Sequence, residues 1–132
     1  MVHDQVLKRV DDSDLRVYVI WEAILRSDSE RAARRATMLL PDPRVVHFWA
    51  PSQEIPEIFR QALPLGEGPA WDVYLVYPPG VTWTGTAPPE PAYYMHQLPG
   101  RLPEAFHLQG DSLAARVREA AGFSGLRLPP TR

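Results

Sequence analysis

The sequence predicts an α/β domain built on a mixed sheet, mostly parallel with an antiparallel edge, and flanked by helices on both faces. Three observations lead there. Residues 15–21 (LRVYVIW), 44–50 (RVVHFWA) and 71–77 (WDVYLVY) are dense in aliphatic, β-branched and aromatic side chains, and the first is apolar on both alternating faces, as an inner strand covered on both sides must be. Stretches of helical periodicity separate these runs at short spacing, the pattern of parallel strands joined by crossover helices. Late in the chain, strand-like runs follow one another without a helix between them, which implies an antiparallel edge.

In order, residues 4–10 place Val6, Leu7 and Val10 at helical spacing, and the polar run 11–14 (DDSD) ends them. After the strand at 15–21, Ser27 and Glu30 have the spacing of a capping box. They open a helix whose Ala32, Ala33, Ala36, Leu39 and Leu40 form one apolar stripe, while Arg31, Arg34 and Arg35 face outward. Pro41 and Pro43 prevent its continuation. The strand at 44–50 leads into a short helix at 55–63, which tolerates Pro56 in its first turn and stops at Pro64. The third strand, 71–77, is followed by Pro79-Gly80, the pair a type II turn favours at its centre, and by a hairpin edge at 81–83. Weaker strands are expected at 93–98 and 104–108. Asp111 then caps a last helix carrying Leu113, Val117, Ala120 and Ala121 on one face, closed by Gly122. The expected organisation is one domain over 1–124 and a flexible tail over 125–132.

Composition narrows the chemistry. The 132 residues, 45% hydrophobic and 23% charged, suit a single domain with its own core. Cysteine is absent, which removes disulfides, thiolate nucleophiles, cysteine-bound metals and dithiol redox chemistry from this chain. A net charge of −2 offers no electrostatic footprint for nucleic acid or anionic lipid. No signal-like or membrane-spanning apolar run is found, so a cytoplasmic location is expected. His3, His47, His96 and His107 lack metal-ligand spacing, and neither a dinucleotide-binding nor a Walker glycine pattern occurs, so no metal or cofactor is expected. Ser124 lies in GFSG, which is one residue short of a nucleophile elbow and follows a helix. Arg26, Arg31, Arg34 and Arg35 are interleaved with Asp28 and Glu30 and read as a solvated helix face. No catalytic pair can be named.

The strings DLRVYVIWEAIL, PDPRVVHFWAP and WDVYLVYPPGVTW, with a helix after each of the first two, resemble a little-characterised group of bacterial thioredoxin-like proteins over residues 4–98. The resemblance implies a thioredoxin-like fold, in which a further strand and a C-x-x-C-type motif precede the segment beginning here at Met1. It also implies that the missing strand is central, between the strands at 15–21 and 71–77, leaving a vacant sheet position for a local strand or a partner chain to fill. A homodimer completing the sheet is the corresponding expectation. Pro69 stands where such domains carry a cis-proline that receives an extended substrate segment.

Trp21 and Trp49 end candidate parallel strands and Trp71 begins an antiparallel one, so all three are expected at one end of the sheet, where α/β folds bind ligands. With Glu22, Asp72 and Pro69 they make a candidate ligand site; the plainer reading is that the indoles close the ends of a small core. His47 and His96 read as hydrogen-bonded strand residues. The stretch 88–94 (PPEPAYY) has the composition of a polyproline ligand. Two functions follow: a non-catalytic domain binding a protein segment or small ligand, or part of a thiol–disulfide oxidoreductase whose redox motif lies upstream of Met1.

Overall fold

The computed structural model describes residues 1–122. Its N-terminal segment winds into a π-helix, Val2–Leu7, whose Val6 and Leu7 are buried. Three carbonyls of this helix and the turn after it are gathered by one side chain. The Arg44 guanidinium donates to the carbonyls of Leu7 (2.7 Å), Val10 (2.6 Å) and Asp12 (3.1 Å) and grips the Asp42 carboxylate through Nε and Nη2. A planar fork with five donors suits this task, which a point-like ammonium cannot perform. Arg44 thereby ties the N-terminal segment to the start of the second strand.

The strands are β1 (Val17–Glu22), β2 (Val45–Ala50), β3 (Val73–Val76) and β4 (Tyr93–His96). The helices are α1 (Glu30–Ala36), extended by a 3-10 turn over Thr37–Leu39, α2 (Glu54–Arg60) and α3 (Gly110–Gly122). β1 and β2 pair in parallel, Val17 opposite Val45 through Glu22 opposite Ala50, whereas β3 and β4 pair antiparallel, Val73 opposite His96. The expected mixed sheet is therefore present as two separate two-stranded sheets, one of each kind. Mostly parallel pairing and continuity across the sheet are not found among the described residues.

Several boundaries differ for local reasons. The cap of α1 is Ser29, whose Oγ accepts from the Ala32 amide at 3.2 Å, not Ser27. Asp28 takes the amides of Ile24 and Leu25 and so closes a turn where the capping box was expected to begin. Residues 81–83 form no strand, although Gly80, at φ 85°, has the conformation a type II turn needs at that point. The expected strand at 104–108 is a 3-10 turn over Glu104–Phe106 with a single bridge from His107 to His96. α3 begins at Gly110, so Asp111 lies inside its first turn, where it pairs with Arg9. The tail at 125–132 and Ser124 lie outside the described residues.

Two apolar clusters hold these elements. One joins Val6 and Val10 to Val76 of β3, Met95 of β4 and Leu113 and Ala114 of α3, with Leu15 packed against it. The other gathers Leu63, Leu65, Ala70, Leu98 and Leu102, with Phe59 and Trp71 at its margin. Gly110 permits the close approach of α3 to the N-terminal helix, since a Cβ there would meet the Gln5 side chain, including its Cβ at 2.7 Å. His96 is fully buried, and its needs are met by backbone alone: Nδ1 accepts from the Leu98 amide at 3.0 Å, which leaves Nε2–H to donate to the Pro103 carbonyl at 2.9 Å. Cover on both faces of the sheet is not achieved. Tyr18, Val46 and Phe48, on one face of the parallel pair, are 65%, 41% and 50% exposed. No helix among the described residues is long and apolar enough to cross a membrane.

Candidate functional site

Pairing geometry determines which backbone groups of β1 and β3 are spoken for. The amides of Val17 and Ala23 donate to Arg44 and Ala50, so the odd-numbered residues of β1 direct their polar groups toward β2. Alternation then turns the N–H and C=O groups of Tyr18, Ile20 and Glu22 the other way. In the antiparallel pair the Gln97 amide donates to the Asp72 carbonyl at 2.9 Å, which makes Tyr74 and Val76 the residues bonded to β4. Val73 and Leu75 present their groups to the far side. Both of these outward edges lack a ladder partner among the described residues.

The two free edges belong to one region of the molecule. Leu15, just before β1, packs on the cluster that contains Val76, the last residue of β3. At the other end, the charge of Asp72, just before β3, acts on the Glu22 carboxyl at the end of β1. The start of β1 thus adjoins the apolar cluster that holds the end of β3, while the end of β1 and the start of β3 are coupled through two carboxylates. Burial, reinforced by the Asp72 charge, pushes the Glu22 carboxyl up to about 7. Burial also raises Asp72, and it raises the Tyr74 phenol, with the Asp72 charge adding to the latter. Asp72 occupies the left-handed region at φ 51°, a conformation that Asp tolerates better than most residues. The Tyr74 hydroxyl and Gln97 Oε1 lie 2.9 Å apart, completing a polar group at this end.

No protein-family model, curated protein or solved structure matches the chain.

The sequence-predicted site residues are only partly assembled. Trp21 and Trp49 are direct register partners and share a face. Trp21 stacks on His47, with ring centroids 6.1 Å apart and planes inclined by 18°, and donates its indole N–H to His47 Nδ1 at 3.2 Å. Glu22 follows Trp21 in the strand and therefore points to the opposite face, so it is not a polar handle on the indole pair. Trp71 packs against the cluster of Leu63 and Leu98, which is a core role. Pro69 is in a trans peptide, and its carbonyl accepts from Arg101 at 3.1 Å, so its own acceptor is already engaged. Glu22 and Asp72 are the two predicted residues whose proximity matters most. His47, Tyr74 and Gln97 were not legible as members of this region, because each depends on cross-strand register. No group of His, Asp or Glu residues among those described is arranged to hold a metal ion.

Proposed function

We propose that this chain is a non-catalytic binding domain that accepts an extended polypeptide segment along the free edges of β1 and β3. The observation that carries this reading is the pair of unpaired strand edges, Tyr18, Ile20 and Glu22 on one side and Val73 and Leu75 on the other. Strand edges are templates for pairing, and main-chain bonding along them supplies affinity without a catalytic group. The order β1-α1-β2-α2-β3-β4-α3, with a parallel pair first and an antiparallel pair second, supports the thioredoxin-like arrangement as part of the same proposal. Lack of cysteine supports binding over thiol exchange for the residues of this chain.

Titration of the 15N-labelled chain with an extended peptide, Ac-KVTVKVTVK-NH2, tests the reading. Amide shifts at Tyr18, Ile20, Glu22, Val73 and Leu75 are expected, together with their loss when alternate peptide nitrogens are methylated. No shift at millimolar peptide, or shifts confined to other residues, contradicts it. Light scattering in the absence of peptide separates the case in which a second copy fills the edges, because that case gives a concentration-dependent dimer.

A further inference from the structure

The stretch 88–94, whose composition suggested a polyproline ligand, instead forms one wall of a groove of about 640 Å³. The Tyr77 hydroxyl donates to the Pro89 carbonyl at 3.0 Å and fixes this wall beside β3. The opposing wall is the turn after α2 that leads to Pro64, held by the Ala62 amide on the Phe59 carbonyl (3.1 Å) and the Leu63 amide on the Arg60 carbonyl (3.3 Å). Rings line the space between the walls. Tyr94 stacks on Phe106 with centroids 4.7 Å apart and planes 22° from parallel, and Tyr93 leans on the same ring at 5.8 Å. The Arg116 guanidinium, 4.5 Å from the Tyr93 centroid, fixes that ring from outside the lining.

We propose that this groove binds a proline-rich segment in the polyproline II conformation that carries a basic residue beside its prolines. Aromatic residues between fixed walls suit pyrrolidine rings, and a polyproline helix loses little conformational entropy when it docks. Its carbonyls need only scattered donors, which the tyrosine hydroxyls and the Gln61 amide can provide. An added β-strand could not run along β4 past His96, where the outer edge is closed by the bridge to His107 and by the Leu108 amide on the His96 carbonyl (2.8 Å). Charge complementarity determines the flanking residue. Glu90, which is exposed, is the one ionised group lining the groove among the described residues, and no cation balances it there. This site does not involve the edges of β1 and β3 and stands independently of the function proposed above.

The test uses the full chain, 15N-labelled, and the peptide Ac-RALPPLP-NH2, with affinities from calorimetry. Shifts at Gln61, Ala62, Leu63, Tyr93, Tyr94 and Phe106 are expected, and a peptide with alanine in place of every proline should not produce them. Glu90→Lys replaces attraction by repulsion at an exposed position and should weaken binding about two- to fivefold. A peptide with glutamate in place of its arginine should bind the wild type more weakly and recover on Glu90→Lys. The proposal is overturned if millimolar peptide causes no shift, if the shifts map to β1 and β3, or if the alanine peptide binds equally. It is also overturned if Glu90→Lys leaves the affinity unchanged, or if a neutral tetrasaccharide such as cellotetraose occupies these residues while the peptide does not.

Discussion

Replacing Glu22 by Gln should stabilise the protein at and above neutral pH and not in acid. The native carboxyl is raised from 4.5 to about 7, first by burial and then by the Asp72 charge. Well below pH 4.5 the carboxyl is protonated in folded and unfolded chains alike, and it contributes no pH-dependent term. As pH rises toward 7 the unfolded chain ionises freely while the folded one holds its proton, so stability falls across this window and levels off above it. The full displacement corresponds to about 3.4 kcal/mol at 1.36 kcal/mol per pKa unit. Glu22 is only half-buried, and solvent screening reduces the expected change to about 1–2 kcal/mol. Asp4 and Asp42, held below their ordinary range chiefly by hydrogen bonds from Lys8 and Arg44, change stability at lower pH and in the opposite sense. Urea unfolding of the wild type and Glu22→Gln from pH 4.5 to about pH 8 reads the difference directly. A gap that widens by about 1–2 kcal/mol toward neutrality is expected. A gap that stays flat refutes the reasoning that burial at the end of β1, reinforced by the Asp72 charge, keeps the Glu22 carboxyl protonated.

Other positions give equally definite outcomes. His96→Leu should cost about 1–3 kcal/mol in urea unfolding, because it orphans the buried Leu98 amide and removes the bond to the Pro103 carbonyl. Arg44→Lys should cost nearly as much as Arg44→Ala, and hydrogen exchange should show early opening of residues 2–10 in both variants, since an ammonium cannot span three carbonyls and Asp42 together. Gly110→Ala, although favourable for helix propensity, should destabilise by about 1–3 kcal/mol because the new Cβ collides with Gln5. Asp72→Asn should be tolerated and should lower the Glu22 pKa, read by side-chain carboxyl NMR, whereas Asp72→Val should cost about 1–2 kcal/mol at this left-handed position.

Strand and helix identities were legible wherever the local pattern was strong. Val17–Glu22, Val45–Ala50 and Val73–Val76 fall within or beside the apolar runs that predicted them, and Pro56 does sit in the first turn of α2. Spacing points to Ser27 as the cap of α1, whereas Asp28 competes for nearby amides and Ser29 caps the helix, a local contest between polar side chains that spacing alone does not resolve. Residues 104–108 carry an apolar content that suits either a strand or a turn, and the contacts of Phe106 with Tyr93 and Tyr94 accompany the 3-10 form. Within the candidate site, Glu22 and Asp72 were singled out together and lie within electrostatic reach of each other. Trp21 could not be separated from Glu22 without knowing the pleat, and the bond from Trp21 to His47 follows from the register of β1 on β2. The division into two sheets depends on bonds that β1 and β3 do not make, and no single-strand pattern reports those.

Residue-resolved hydrogen exchange of the free protein, at a concentration where it is monomeric by light scattering, tests the open edges most directly. The amides of Val17, Val19 and Trp21 in β1, and of Tyr74 and Val76 in β3, should be protected by their bonded neighbours, while those of Tyr18, Ile20, Glu22, Val73 and Leu75 exchange with little protection. Equal protection of both sets would mean that these edges of β1 and β3 are already paired and are not free for a polypeptide segment to join.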